Sequence, residues 1–277
     1  MSVAQNSLPH WAAHARLERL RGRTDDARKV YEAVLTTSRS SATQAGSRQL
    51  WWDWAEMEWL AGKSEAALGV ILRSVDVNGT AGIMILRAKR NLDNGYHSSK
   101  ELPWKEQEAW VKLHGLLELI TSTPAAMLLA FDGYILDDGN IALKTPPHEG
   151  LTVASLLMLY RHSVILRNPT PPSLLRDRLE KAIEVYPSNT IVFGLFLEAE
   201  KGQGVWGRVR GLLGETTADG VGKDKDVPRR VAEVWVASWE KGRWEAEKER
   251  TRSGLVAAVD NERYVHPCWL HISNHCS

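Results

Sequence analysis

A chain of 277 residues with 35 basic and 34 acidic side chains, formal charge +1, can bury a sizeable core but has no global field for gathering nucleic acid or holding an acidic membrane. Its only two cysteines, Cys268 and Cys276, exclude a disulfide framework and fit a reducing compartment. The opening MSVAQNSLPHW lacks the charged-then-apolar pattern of a signal peptide, and no run reaches the roughly 18 apolar residues of a membrane span. A soluble intracellular protein is therefore expected.

Taken in chain order, the first element is half of a repeat. Residues 51–75, WWDWAEMEWLAGKSEAALGVILRSV, align without a gap on residues 11–35, WAAHARLERLRGRTDDARKVYEAVL. The match pairs Trp51 with Trp11, Ala55 with Ala15, Glu58 with Glu18, Gly62 with Gly22, Ala67 with Ala27 and Val70 with Val30. A period of this size signals an array of supersecondary units. In each unit Trp, Ala, Glu and Gly fall at i, i+4, i+7 and i+11, one stripe of a helix at 3.6 residues per turn. The glycine stands where a helix ends in a left-handed residue. Thr24 and Ser64 then predict hydroxyl caps for a second helix, with Asp25, Asp26 and Glu65 in its positive first turn. The small Ala27 and Ala67 let the second helix approach the first, and the indoles predict wedges between successive units. Glu18 and Glu58 share the indole stripe, where an unpaired carboxylate is expensive. They need partners such as an arginine of the second helix, Arg28 in the first unit, or a backbone N–H at the start of that helix, or a half-exposed position at the stripe's edge.

Further along, helical stripes run through 79–93, 149–166 and 171–186. Residues 104–136 read as a third pair, with Trp110, Leu113, Leu117 and Glu118 on the first helix, Thr123-Pro124 as turn and cap, and Ala126, Leu129, Ala130 and Phe131 on the second. In 187–214, Asn189 starts a helix, Ile191 takes the tryptophan position, Glu198 and Gly202 keep the Glu-x-x-x-Gly interval, and Arg208 falls where Arg28 stood. Residues 229–241 and 244–259 pair around Gly242 and carry Trp235, Trp239 and Trp244. The breaks 137–150, 168–172 and 215–228 are polar or rich in Pro and Gly and read as surface loops. No strand is predicted. The expected fold is all-α: a right-handed superhelical solenoid of antiparallel helix pairs, residues 1–277 forming one array with a flexure near 140–150.

Chemistry leaves little trace. His266, Cys268, His271, His275 and Cys276 near the end are the one cluster of metal-ligand types, but a terminal helix or tail accounts for them without zinc. His14, His114 and His162 lie within helical stripes and read as packing residues. No Gly-x-Ser-x-Gly, phosphate loop or HExxH occurs, so no catalytic, metal or cofactor site is expected. Two basic runs, Arg16, Arg19, Arg21, Arg23, Arg28 and Lys29, and Arg229, Arg230, Lys248, Arg250 and Arg252, are interleaved with Glu18, Asp25, Asp26, Glu245, Glu247 and Glu249. Alternating signs mark a solvated helix face more often than a phosphate track.

The pattern Trp, Ala, Glu, Gly followed by Ala-Arg-x-Val-Tyr at Ala27, Arg28 and Tyr31 resembles the half-a-TPR (HAT) repeat. The stretches LWWDWAEMEWLAGKSEAAL (50–68), AWVKLHGLLELITSTPAAMLLAFDGYI (109–135) and YPSNTIVFGLFLEAE (186–200) are similar to the C-terminal part of the nuclear RNAi-defective-two (Nrde-2-like) family. That resemblance implies a non-catalytic scaffold of the nucleus, acting in RNA processing and surveillance. Its array would dock a protein partner through a helical or extended segment. In that family an exosome-associated RNA helicase is bound by a long polar N-terminal region, which this chain is expected to lack. Terminal repeats of such arrays also form homodimers. Two alternatives share these features: a HAT-repeat scaffold of the splicing or 3′-end-processing machinery, and an RNA-binding platform.

Overall fold

The computed structural model describes residues 8–37, 46–77, 79–97, 103–136, 145–200 and 252. Contacts divide the chain into two compact units, Met1–Thr170 and Pro171–Ser277. The division falls in the Pro-rich break 168–172. Among the described residues every regular element is helical, an all-α architecture.

Unit 1 opens with α1 (Leu8–Leu20) and α2 (Thr24–Thr37), then α3 (Ser47–Leu60) and α4 (Ser64–Ser74). Both pairs are joined by the same three-residue turn, and α1 packs on α2 as α3 packs on α4. Gly22 and Gly62 have φ of 77° and 76°, with no atom within 4 Å of where a Cβ would stand. Their left-handed backbone, not crowding, therefore demands glycine. Arg23 N–H donates to Glu18 C=O at 2.8 Å and Gly22 N–H to Arg19 C=O at 3.0 Å; Lys63 N–H to Glu58 C=O and Gly62 N–H to Trp59 C=O repeat this at 3.0 and 2.9 Å. Both turns are Schellman motifs, each satisfying two carbonyls the helix end would otherwise strand.

The expected hydroxyl cap at Ser64 is not made. Lys63 is the capping residue of α4 and no side chain bonds the exposed N–H groups. The Schellman bond fixes Lys63 just ahead of the helix, its carbonyl accepting from Ala67 N–H at 3.0 Å, so Ser64 is already helical. Thr123 does cap, its hydroxyl oxygen accepting from Ala126 N–H at 3.1 Å.

The chain continues as α5 (Ala81–His97), α6 (Trp104–Thr121), α7 (Pro124–Leu136) and α8 (Pro146–Tyr160), which runs into a π-helical turn, Arg161–Ile165. Helix α8 starts inside the stretch read as a loop, because Pro146 and Pro147 occupy its first turn, where a missing N–H costs nothing. Helix α6 touches α3, α4, α5, α7 and α8. Two glycines allow this crowding. A Cβ on Gly95 would lie 2.2 Å from Trp110 Nε1, and one on Gly115 would lie 2.3 Å from Phe131 Cε2. Unit 2 contains α9 (Pro172–Val185) packed on α10 (Thr190–Glu200). The Asn189 side-chain oxygen caps α10, accepting from Ile191 and Val192 N–H at 3.0 and 2.9 Å.

Gly202, Arg208, the pair 229–241 and 244–259, the break 215–228 and the cysteine- and histidine-containing tail lie outside the described residues; of the second basic run only Arg252 is described.

The glycine contacts make a direct prediction. Gly95→Ala and Gly115→Ala each lower unfolding stability by about 1–3 kcal/mol. Gly69→Ala, at a helical site with nothing within 4 Å, raises it by about 0.5–1 kcal/mol. Urea midpoints measure both, and wild-type midpoints for the first two variants contradict the packing described.

Candidate functional site

The tryptophan-rich helix α3 shows why acids sit among indoles. Trp51, Trp52, Asp53, Trp54, Ala55, Met57, Glu58 and Trp59 are all buried, so the helix is enclosed on every side. Its carboxylates each reach a guanidinium from another element. Arg28 on α2 grips Glu58 with Nε at 2.6 Å and Nη2 at 2.9 Å, and Trp54 Nε1 donates to the same carboxylate at 3.2 Å. Arg16 on α1 grips Asp53 with Nε at 3.0 Å and Nη2 at 3.3 Å, and Gln49 adds a bond at 2.8 Å. Glu56 takes Arg19 of α1 at 3.4 Å and Arg161 of the π-helical turn. Bidentate arginine–carboxylate pairing is the strongest form of such contacts.

The pairing shows in the acidities. Burial pushes the Glu58 carboxyl up, but hydrogen bonds from Arg28 and Trp54, with the attraction of Arg28 and Lys63, outweigh it and hold it below the usual range. Burial raises Asp53, and neither Arg16 nor Gln49 fully offsets this. Tyr31 is pushed up to about 12, chiefly by burial and next by Asp53.

Rings complete the lattice. Trp54 stacks on Tyr31 of α2 at 6.2 Å and on Trp51 at 5.8 Å, each with planes 12° apart. Arg73 of α4 covers Trp54 at 4.5 Å, and Lys112 of α6 lies 5.8 Å from the Trp52 ring. Across the α3–α6 contact, Arg48 lies 4.6 Å over Trp110, whose Nε1 makes no hydrogen bond. Burial lowers the Arg48 pKa, with Glu106 opposing.

The remaining predicted residues fall into place unevenly. Ala15, Ala27, Ala55 and Ala67 are wholly buried, as is Tyr31. Glu118 of α6 accepts from Lys89 of α5 at 2.7 Å. Trp11 differs from its counterpart: it is 37% exposed while Trp51 is 7% exposed. Helix α3 packs against α2, α4 and α6 with α1 beside it, whereas the main packing of α1 is on α2. Ile191, assigned the tryptophan position of α10, is 49% exposed. There the buried, arginine-held glutamate is Glu200, bonded by Arg176 of α9 at 3.2 Å, while Glu198 is half-buried.

One rule thus recurs. Arg28 on α2 serves Glu58 on α3, Lys89 on α5 serves Glu118 on α6, and Arg176 on α9 serves Glu200 on α10. Each glutamate takes its cation from the helix before it. Glu18 instead takes local arginines, Arg21 at 3.2 Å and Arg23 at 3.7 Å. The sequence reading missed Asp53, Glu56, Lys89, Arg161, Arg176 and Glu200. Its available signal was an acid inside an indole run, and for Glu200 a second acid two positions after Glu198.

Titratable side chains converge at one further place. The Tyr134 hydroxyl of α7 donates to Asp93 of α5 at 3.3 Å and lies 2.5 Å from Nδ1 of His114 on α6. With the phenolic proton committed to Asp93, Nδ1 carries the proton that the phenol oxygen accepts. Nε2 then faces Glu118 Oε1 at 3.8 Å. Burial lowers the His114 pKa, against the pull of Glu118 and Asp93, and raises Tyr134 far above its usual value with Asp93 assisting. Chemically the chain His114–Tyr134–Asp93 ties three helices through directional bonds. Among the described residues no group of three or more His, Cys, Asp or Glu could hold a metal ion, and no helix is long and apolar enough to cross a membrane.

Comparison with family models, curated proteins and solved structures returned no match.

The histidines predict a pH dependence. His114 and His162 are both lowered by burial, so below about pH 6.5 the unfolded chain binds protons that the folded chain refuses. Stability is full above that pH, falls as the pH drops toward the folded values, and then levels. Urea midpoints at pH 7.5 and 5.5 should show a lower value at pH 5.5, and the variant His114→Gln/His162→Gln should show a smaller difference. An equal or higher wild-type midpoint at pH 5.5 contradicts this.

Proposed function

We propose that the chain is a non-catalytic protein-interaction scaffold, a right-handed solenoid of antiparallel HAT-type helix pairs that docks partner proteins in nuclear RNA processing and surveillance. The observation that carries this reading is the repeated unit itself: a gapless sequence repeat whose two first helices end in the same Schellman turn and whose glutamate is held in α3 by a cation of the preceding helix. A body assembled by such unit-to-unit rules makes its interior from packing and offers its outside for binding. The nuclear setting and the RNA-processing role rest on the resemblance of residues 50–68, 109–135 and 186–200 to the Nrde-2-like family. On that reading, contact with an exosome-associated RNA helicase belongs to a region outside this chain.

Protein docking is favoured over RNA binding by what the first basic run does. Arg16, Arg19, Arg21, Arg23, Arg28 and Lys29 each have a carboxylate partner within the protein. At Arg16, Arg19 and Arg28 a phosphate backbone would have to compete with bonds to α3 that hold helices together.

Two measurements test the proposal. Affinity capture from nuclear extract, read by mass spectrometry, should return proteins of RNA-processing complexes, and their retention should survive nuclease and 300 mM salt. Filter binding of RNA across a salt series should give only weak binding. Tight RNA binding with a steep salt slope, or capture confined to proteins unrelated to RNA, overturns it.

A further inference from the structure

We infer that the outer face of α1 is a docking surface for an acidic amphipathic helix of a partner protein. This rests on the scaffold reading and names the kind of partner it takes.

The face is defined by spacing. Ala13, Leu17 and Leu20 fall at i, i+4 and i+7, one stripe of the helix. His10, His14 and Arg21 flank it on one side and Arg16 on the other, and all seven are exposed. Leu17 is 50% and Leu20 85% exposed. Isolated surface leucines are ordinary, but this pair lies on one turn with a guanidinium on each side.

The repeat says what covers such a face. Forty residues on, His10, Ala13, His14 and Leu17 become Leu50, Asp53, Trp54 and Met57 of α3, and all four are buried. Asp53 of that set is gripped by Arg16 of α1, so on α3 a neighbouring helix closes this face. The α1 copy keeps the geometry, and among the described residues its Leu17 and Leu20 stay exposed. A helix therefore fits it better than an extended strand or a flat sheet.

Charge selects the kind of helix. Helix α1 and its turn carry Arg16, Arg19, Arg21 and Arg23 against a single acid, Glu18, which is itself buried. Arg16 is matched by Asp53 alone. Glu18 is shared by Arg21 and Arg23, and Glu56 by Arg19 and Arg161, so one positive charge is left over at each shared carboxylate. The side chains of Arg16, Arg21 and Arg23 are 54%, 60% and 61% exposed. A second copy of this face would bring guanidinium against guanidinium. A helix with Leu, Ile or Val at i, i+4 and i+7 and Glu or Asp on both flanks would cover the leucines and supply the missing carboxylates. RNA would meet the arginines but leave the leucines in water.

The test uses the full chain and a labelled synthetic helical peptide of that pattern, with Leu at i, i+4 and i+7 and Glu on the flanks. Fluorescence anisotropy should show saturable binding to the wild-type chain that weakens at least tenfold for Leu17→Asp/Leu20→Asp. Both leucines are solvent-facing, and an unchanged circular-dichroism melt verifies that the variant folds. A peptide with Lys replacing each Glu should bind at least tenfold more weakly. No binding of the acidic peptide, equal binding to the double variant, or equal binding of the Lys peptide overturns the inference. So does displacement of the bound acidic peptide by a uridine oligonucleotide, or a wild-type dimer in light scattering that the double variant converts to monomer. Failure here is separable from failure of the scaffold reading. If nuclear proteins captured by the wild-type chain are retained equally by Leu17→Asp/Leu20→Asp, the scaffold stands and this face does not. If neither chain captures RNA-processing proteins, the scaffold itself falls.

Discussion

A carboxylate buried beside indole rings is stable only if a guanidinium or ammonium comes to it, and for the three acids of α3 that cation comes from a different element. The constraint organises unit 1. Asp53, Glu56 and Glu58 are fixed by sequence on one helix, and the arginines that reach them belong to α1, α2 and the turn after α8. Removing a partner would leave a buried charge uncompensated, at a cost of about 3–5 kcal/mol. The ion pairs therefore specify which helix lies where more than they add to net stability. The aromatic lattice supplies the apolar burial, with Trp54 stacked on both Tyr31 and Trp51, Arg73 over Trp54 and Lys112 near the Trp52 ring.

Close approach is the second condition. Helix α6 has five helical neighbours, and it can lie close to α5 and α7 only because Gly95 and Gly115 leave room for Trp110 and Phe131. Those two glycines work by absence of volume. Gly22 and Gly62 work by backbone freedom, at turns where nothing crowds them. The same residue type thus serves two physical purposes, and only the second has a sequence signature, an interval of four from a glutamate.

What was legible in the sequence was local. The helix–turn–helix units, their left-handed glycines and the Thr123 and Asn189 caps depend on residues a few positions apart, and sequence spacing reports them. The Arg28–Glu58 pair is half legible: the glutamate's need for a cation follows from its stripe, but spacing offers Arg28 to Glu18 of its own unit, which takes Arg21 and Arg23 instead. Structure puts it on the next unit's glutamate. Arg161 with Glu56 was not legible, because 105 positions separate them and no local pattern encodes that meeting. Trp11 and Trp51 occupy the same repeat position and differ in exposure, since burial depends on what lies alongside. For the same reason the repeat located the open face of α1 only once its buried counterpart on α3 was seen.

The functional reading inherits this logic, since an interior committed to ion pairs and rings leaves the outer helix faces as the surfaces that meet other molecules. The central claim is that buried carboxylates and cations of neighbouring helices hold the units in register. A double-mutant cycle on Arg28 and Glu58 tests it most directly, with unfolding free energies measured for wild type, Arg28→Ala, Glu58→Gln and the double variant. The account predicts a coupling energy of about 2–3 kcal/mol between the two sites. Additive effects, within about 0.3 kcal/mol, would mean that the pair is a passive contact and that packing alone sets the arrangement.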